Sequence, residues 1–136
     1  MSYGPAVALQ EAVFQALAAD PALDAIVGGA IYDAVPSGTL PSIYVSLGTE
    51  TVKDRSDQTG AGTEHELTIS VVTELAGFQT AKAAAAAISD VLTGADLALG
   101  RGTLIAMNFY RAKAVRVGTN EQRQIDVIFK ALVEDD

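Results

Sequence analysis

Apolar residues return at helical spacing at the start of the chain, with Ala6, Leu9, Val13, Ala16 and Leu17 on one face. Pro5 suits the first turn of such a helix, where its missing N–H would have had no partner, so the spacing predicts a helix over residues 5–19. Asp20 before Pro21 is a cap followed by a helix-compatible proline, and predicts a short second turn through residues 25–27 that Gly28 and Gly29 end. A brief extended piece at residues 31–33 leads to Pro36, Gly38 and Pro41, which mark a turn. From Ser42 the period changes to two: Ile43, Val45 and Leu47 lie on one side of a strand that continues through Thr49, Thr51 and Val52.

Residues 53–63, KDRSDQTGAGT, contain no large apolar side chain and predict a long exposed loop. After it Leu67, Ile69 and Val71 alternate with Glu66, Thr68 and Ser70, the pattern of a strand with one face on the core, so the two strands form an antiparallel hairpin with the loop at its tip. Beyond Gly77, Phe78, Ala81, Ala85, Ile88 and Leu92 fall on one helical stripe, and the alanine run 83–87 makes that helix thin enough to lie close against a sheet. Two further strands, 103–117 and 123–133, flank the turn Gly118-Thr119-Asn120-Glu121. Ile105, Met107 and Phe109 are expected to point inward in the first, and Ile125, Val127, Phe129, Ala131 and Val133 in the second. The expected fold is α+β: a mainly antiparallel sheet of about four strands with two helices packed on one face, in a single domain spanning 1–136.

Composition narrows what such a domain does. With 49% hydrophobic and 19% charged residues the chain is globular. It has no cysteine, which excludes disulfides, thiol nucleophiles and thiolate metal sites. The first twenty residues carry no Lys or Arg, and Gln10, Glu11 and Gln15 interrupt the apolar run, so neither a signal peptide nor a membrane span is expected and synthesis is assigned to the cytosol. A net charge of −8 disfavours tight nucleic-acid binding. The charge is uneven: residues 1–100 hold 12 acids and 3 bases, whereas residues 101–136 hold 5 acids and 6 bases.

Candidate chemistry is sparse. His65 is the single histidine, and in a strand it points away from Glu64 and Glu66, so it reads as a strand-end residue rather than a metal ligand. Glu64 and Glu66 share a strand face and read as solvated, with no apolar pocket to raise one carboxyl. Gly60-Ala61-Gly62-Thr63 enters a strand and lacks the Gly-Lys-Ser/Thr ending of a phosphate loop. Ser46, Ser70 and Ser89 lie in no nucleophile elbow. No catalytic residue, metal or cofactor is expected. Arg111 and Lys113 share strand parity, Arg116 does not, and the three read either as a solubilising face or as an edge that docks an acidic neighbour.

Taken in order, the opening helix with Ala-Leu-Gln-Glu-Ala-Val at 8–13, Gly29-Ala30-Ile31-Tyr32-Asp33, Pro41-Ser42-Ile43-Tyr44-Val45-Ser46-Leu47-Gly48, Asp57, Gly62-Thr63-Glu64-His65, Gly77-Phe78 and the last two strands carry a resemblance over nearly the whole chain. The chain resembles the tail terminator, or tail completion, proteins of long-tailed phages and phage-derived gene transfer agents. That resemblance implies a structural protein and not an enzyme. It implies a hexameric ring that caps the tail tube protein, ends its polymerisation and joins a head-proximal neck or stopper protein at the head–tail junction. DNA is expected to pass through without specific binding, and no membrane is involved. The contacts expected of this chain are Lys53, Asp54, Arg55, Ser56, Asp57, Gln58 and Thr59 in the loop, and Arg111, Lys113 and Arg116 late in the chain. Two alternatives are another neck or minor tail protein of the same particle, and a small α+β module binding a peptide or metabolite in an apolar pocket.

Overall fold

The computed structural model describes residues 3–55, 62–118 and 122–135. Helix α1, Ala6–Ala18, buries Ala6, Leu9, Val13 and Leu17. The segment after it is a full helix, α2, Pro21–Val27. Asp20 caps it by accepting the Leu23 N–H at 2.9 Å, and Gly28, left-handed at φ 59°, ends it. Five strands follow in chain order, interrupted by one helix: β1 Ile31–Tyr32, β2 Ile43–Asp54, β3 Gly62–Thr73, α3 Gln79–Leu92, β4 Thr103–Val117 and β5 Gln122–Glu134.

The sheet order is β1-β2-β3-β5-β4. The two hairpins, β2–β3 and β4–β5, meet through an antiparallel β3–β5 ladder running from Gly62↔Glu134 to Thr73↔Arg123. The additional strand β1 pairs parallel with β2, Ile31 opposite Val45 and Tyr32 opposite Ser46. The sheet is thus mainly antiparallel, as expected, with one strand and one helix more than the alternation revealed. The extended piece expected at 31–33 is this strand, and its two residues are too few to display a period, so only its pairing with β2 places it in the sheet.

Directly opposed residues of an antiparallel pair share a face. On one face Leu67, Ile69 and Val71 of β3 and Ile125, Val127, Phe129, Ala131 and Val133 of β5 are buried, as their alternation predicts. Helix α3 lies across β3, β5 and β4, with α1 and α2 packed against it, and Ala81, Ala84 and Ala87 are its small buried contacts.

Three expectations change at the strands. The β2–β3 ladder continues to Lys53↔Glu64 and Asp54↔Thr63, so residues 53–54 and 62–63 are strand rather than loop, and Thr63 is buried. Polar side chains do not stop a ladder whose register is already set by the apolar pairs Val45↔Val71 and Leu47↔Ile69. A bulge lies between Leu47 and Glu50. It turns Glu50 and Val52 toward the helices, and an added Cβ at Gly48 would stand 2.9 Å from the Thr68 carbonyl oxygen. In β4, bulges between Leu104 and Ala106 and between Phe109 and Arg111 break the simple alternation. Leu104 and Met107 are buried, whereas Ile105 is exposed. Phe109 does reach the helix side, edge-on to Phe129 at 6.2 Å, yet it stays exposed because β4 is the outermost strand.

Candidate interaction surface

The face of the sheet away from α3 is polar and carries both signs of charge. At its centre Glu64 accepts a hydrogen bond from Arg55 Nη2 at 3.1 Å, with Lys53 Nζ at 3.7 Å and Lys130 Nζ at 3.9 Å. Half-buried Lys130 also sits 3.9 Å over the Tyr110 ring, and the Arg111 guanidinium is 5.6 Å from the same ring. Arg55, Glu64, Tyr110 and Lys130, with Asn108 and Leu132, line an open groove of about 450 Å³. Beside it Glu66, Arg111, Lys113 and Asp126 border a second depression of about 630 Å³. Ser70 and Gln124 both donate to Asp126 Oδ1, at 2.7 and 2.8 Å, which fixes that carboxylate.

Burial alone would raise the Glu64 carboxyl, but the Arg55 hydrogen bond and the charges of Arg55, Lys130 and Lys53 outweigh it and hold the group below its ordinary value. A depressed carboxyl contributes stability above its unfolded value and loses it as the pH falls through the folded one. Glu64→Gln should therefore melt lower than the wild type at neutral pH, and the gap should close as the pH falls below about 4.5, the unperturbed value. Thermal unfolding across an acid pH series measures this, and a gap independent of pH would contradict the assignment.

The residues expected to make contacts fall in two places. Lys53 and Asp54 end β2, with Arg55 directly after, while Ser56, Asp57, Gln58 and Thr59 lie outside the described residues. Arg111 and Lys113 lie on the open face opposite Ile128 and Asp126, and Arg116 lies on the helix side opposite Arg123, as their parity indicated. Glu64 draws Lys53 and Arg55 together with Lys130 and Tyr110. Arg116 is not part of that cluster. Glu64 is half-buried among three cations rather than solvated, because β5 brings Lys130 beside it. No spacing within β3 or β5 alone announces that meeting.

His65 is not a strand-end residue. It lies inside β3, fully buried, with Nε2 3.0 Å from Thr63 Oγ1 and Nδ1 3.2 Å from Glu50 Oε2. The Tyr3 hydroxyl donates to the other Glu50 oxygen at 2.7 Å, and Glu50 in turn raises the pKa of that phenol. With a proton on Nδ1 the ring can donate to the carboxylate, while the Thr63 hydroxyl lies within hydrogen-bond distance of Nε2. The network ties the start of the chain to the β2–β3 hairpin. Among the described residues no three His, Asp or Glu side chains are gathered to hold a metal ion, and no helix is long and apolar enough to cross a membrane.

Comparison with known proteins supplies the context for this surface. The family model described as tail completion protein gp17 matches residues 11–134. A solved chain from "Virion of native gene transfer agent (GTA) particle" is similar at 59% identity and a TM-score of 0.93, covering 98% of this chain and 99% of that one. No curated protein matches.

Proposed function

The chain belongs to the tail completion protein gp17 family, and on that premise we propose that its copies close a hexameric ring on the last ring of the tail tube. The protein is a structural component of a phage-type tail. The ring ends polymerisation of the tube protein on one side and offers its other side to a neck or stopper protein at the head–tail junction. DNA passes through it without specific binding, in keeping with a net charge of −8. The polar segment 53–59 and the basic residues Arg111, Lys113 and Arg116 supply contacts to neighbouring subunits or partners.

The observation that carries this reading is the end-to-end match to a chain of a gene transfer agent virion, at 98% and 99% coverage. A fold shared over its whole length, with no large insertion, supports a similar role in assembly. Native mass spectrometry of the protein, alone and mixed with tail-tube protein, tests the reading directly. A closed ring, or ring-sized complexes on tube ends, is expected. Particles made without the protein should carry tubes of uncontrolled length and unjoined heads. A strict monomer that ignores the tube, together with normal particles in its absence, would refute the proposal.

A further inference from the structure

Two strand edges of this sheet lack a partner along most of their length. β4 is the last strand in the order, so among the described residues no other strand lies along its outer side over Thr103–Val117, although the Gly94 N–H donates to the Met107 carbonyl at 2.7 Å. On the opposite side β1 covers β2 only at Val45 and Ser46, which leaves the outer edge of β2 unpaired from Leu47 to Lys53 among the described residues. Unpaired backbone groups of this kind are templates for another strand.

The directions of the two edges match. β4 is antiparallel to β5, β5 to β3, and β3 to β2, so β4 runs opposite to β2. A rotation about an axis parallel to the strands preserves strand direction. It would therefore set β4 of one copy beside β2 of the next as another antiparallel pair. The two edges are different surfaces on opposite sides of the subunit, which is the heterologous arrangement that closes into a ring.

Chemistry agrees with direction. β4 carries no acid, and on the helix side it presents Arg116. Next to the β2 edge, Glu11 and Asp33 border a groove of about 450 Å³ with Phe14 and Leu47. Among the described residues, five of the eight exposed large apolar ones also lie on these two sides: Ile105 (52%), Phe109 (46%) and Tyr110 (46%) on β4, and Val7 (69%) and Phe14 (36%) on α1. We infer that the free edge of β4 pairs antiparallel with the free edge of β2 in a neighbouring copy, so that the sheet runs on from subunit to subunit. In that arrangement the helix-side residues of β4, Phe109 and Arg116, come to the acidic groove beside α1. This rests on the ring proposed above and names the surfaces that build it.

The chain has no cysteine, so engineered pairs report without background. Cross-strand partners must share a face. Val52 faces the helix side with Ala112 and Ala114, and Thr51 faces the open side with Val115. Val52→Cys combined with Ala112→Cys or Ala114→Cys, and Thr51→Cys combined with Val115→Cys, are oxidised in the presence of tube protein. A disulfide ladder ending at the closed ring is expected from at least one pair. Equal mixtures of the corresponding single variants should give only dimers, and each single variant alone should give none. In a second arm, Arg116→Glu, and separately Glu11→Lys with Asp33→Lys, should each lower ring yield at least tenfold. Combining all three should recover it.

A wild-type ring that gives no cross-link from any pair and is indifferent to both charge reversals overturns this inference and leaves the ring standing. Self-linking of a single β4 variant also overturns it, because like edges would then be meeting. A wild type that stays monomeric with tube protein overturns both.

Discussion

Phe129→Ala should destabilise the fold by about 3–5 kcal/mol, the usual cost of truncating a fully buried phenylalanine. The ring lies on β5, an interior strand of the sheet, with no exposed surface, between Leu67 of β3 and Phe109 of β4. Every neighbour belongs to a hydrogen-bonded ladder or to the core, so the surroundings have little freedom to collapse into the space left behind. Set against a typical domain stability of about 5–15 kcal/mol, that loss moves the protein close to unfolding at physiological temperature. Urea denaturation should show a much lower midpoint at an unchanged slope. Phe109→Ala is the matched comparison. Its ring touches the same phenylalanine but is nearly half exposed on the edge strand, so its midpoint should fall far less. Equal losses at the two positions would mean that the edge of β4 is packed as tightly as the centre of the sheet.

The second large effect is expected at His65. Replacing it by leucine keeps the approximate volume but removes the donor to Glu50 and the acceptor for the Thr63 hydroxyl in a buried site. Leaving buried polar groups without partners costs about 1–3 kcal/mol. Glu50→Leu alone should also destabilise, since the imidazole and the Tyr3 hydroxyl both lose the carboxylate. The double replacement His65→Leu with Glu50→Leu should cost clearly less than the two single losses together, because the second change removes a group that the first had already stranded. A double-mutant cycle measured by chemical denaturation gives the coupling. Strict additivity would mean that histidine and carboxylate act independently and that the short distance carries no energy.

The same network connects stability with assembly. Glu50 lies on the helix side of the stretch of β2 proposed to receive a neighbouring copy, and His65 holds it from within the core. A ring-forming edge needs rigid side chains around it, since flexible groups would have to be ordered on association. Here the ordering has been done during folding.

Much of the architecture was legible in local pattern. The helical spacing from Ala6 to Leu17, the capped start at Asp20 and Pro21, and the unbroken alternation from Ile125 to Val133 each describe a single element whose period reports its own face. The absence of cysteine and the order of elements pointed to assembly rather than catalysis before any contact was known. The parity of Arg111 and Lys113 against Arg116 also survived into three dimensions, because the stretch 111–117 keeps a regular register with β5.

What the sequence could not reveal depends on partners distant along the chain. A bulge shifts parity without changing composition, so nothing in Leu47-Gly48-Thr49-Glu50 says that Glu50 will turn toward His65, or that Ile105 will turn away from the core. The β3–β5 adjacency brings Lys130 to Glu64 across a separation that no short-range spacing encodes. Sequence alone determined the periods, the caps, the charge imbalance and the kinship, because each is carried by neighbouring residues or by their order. Only the tertiary structure decided which strand edges stay open, which carboxylates are held, and that the basic strand lies on one outer edge of the sheet. Those properties belong to the register between strands, and register is set where distant segments meet.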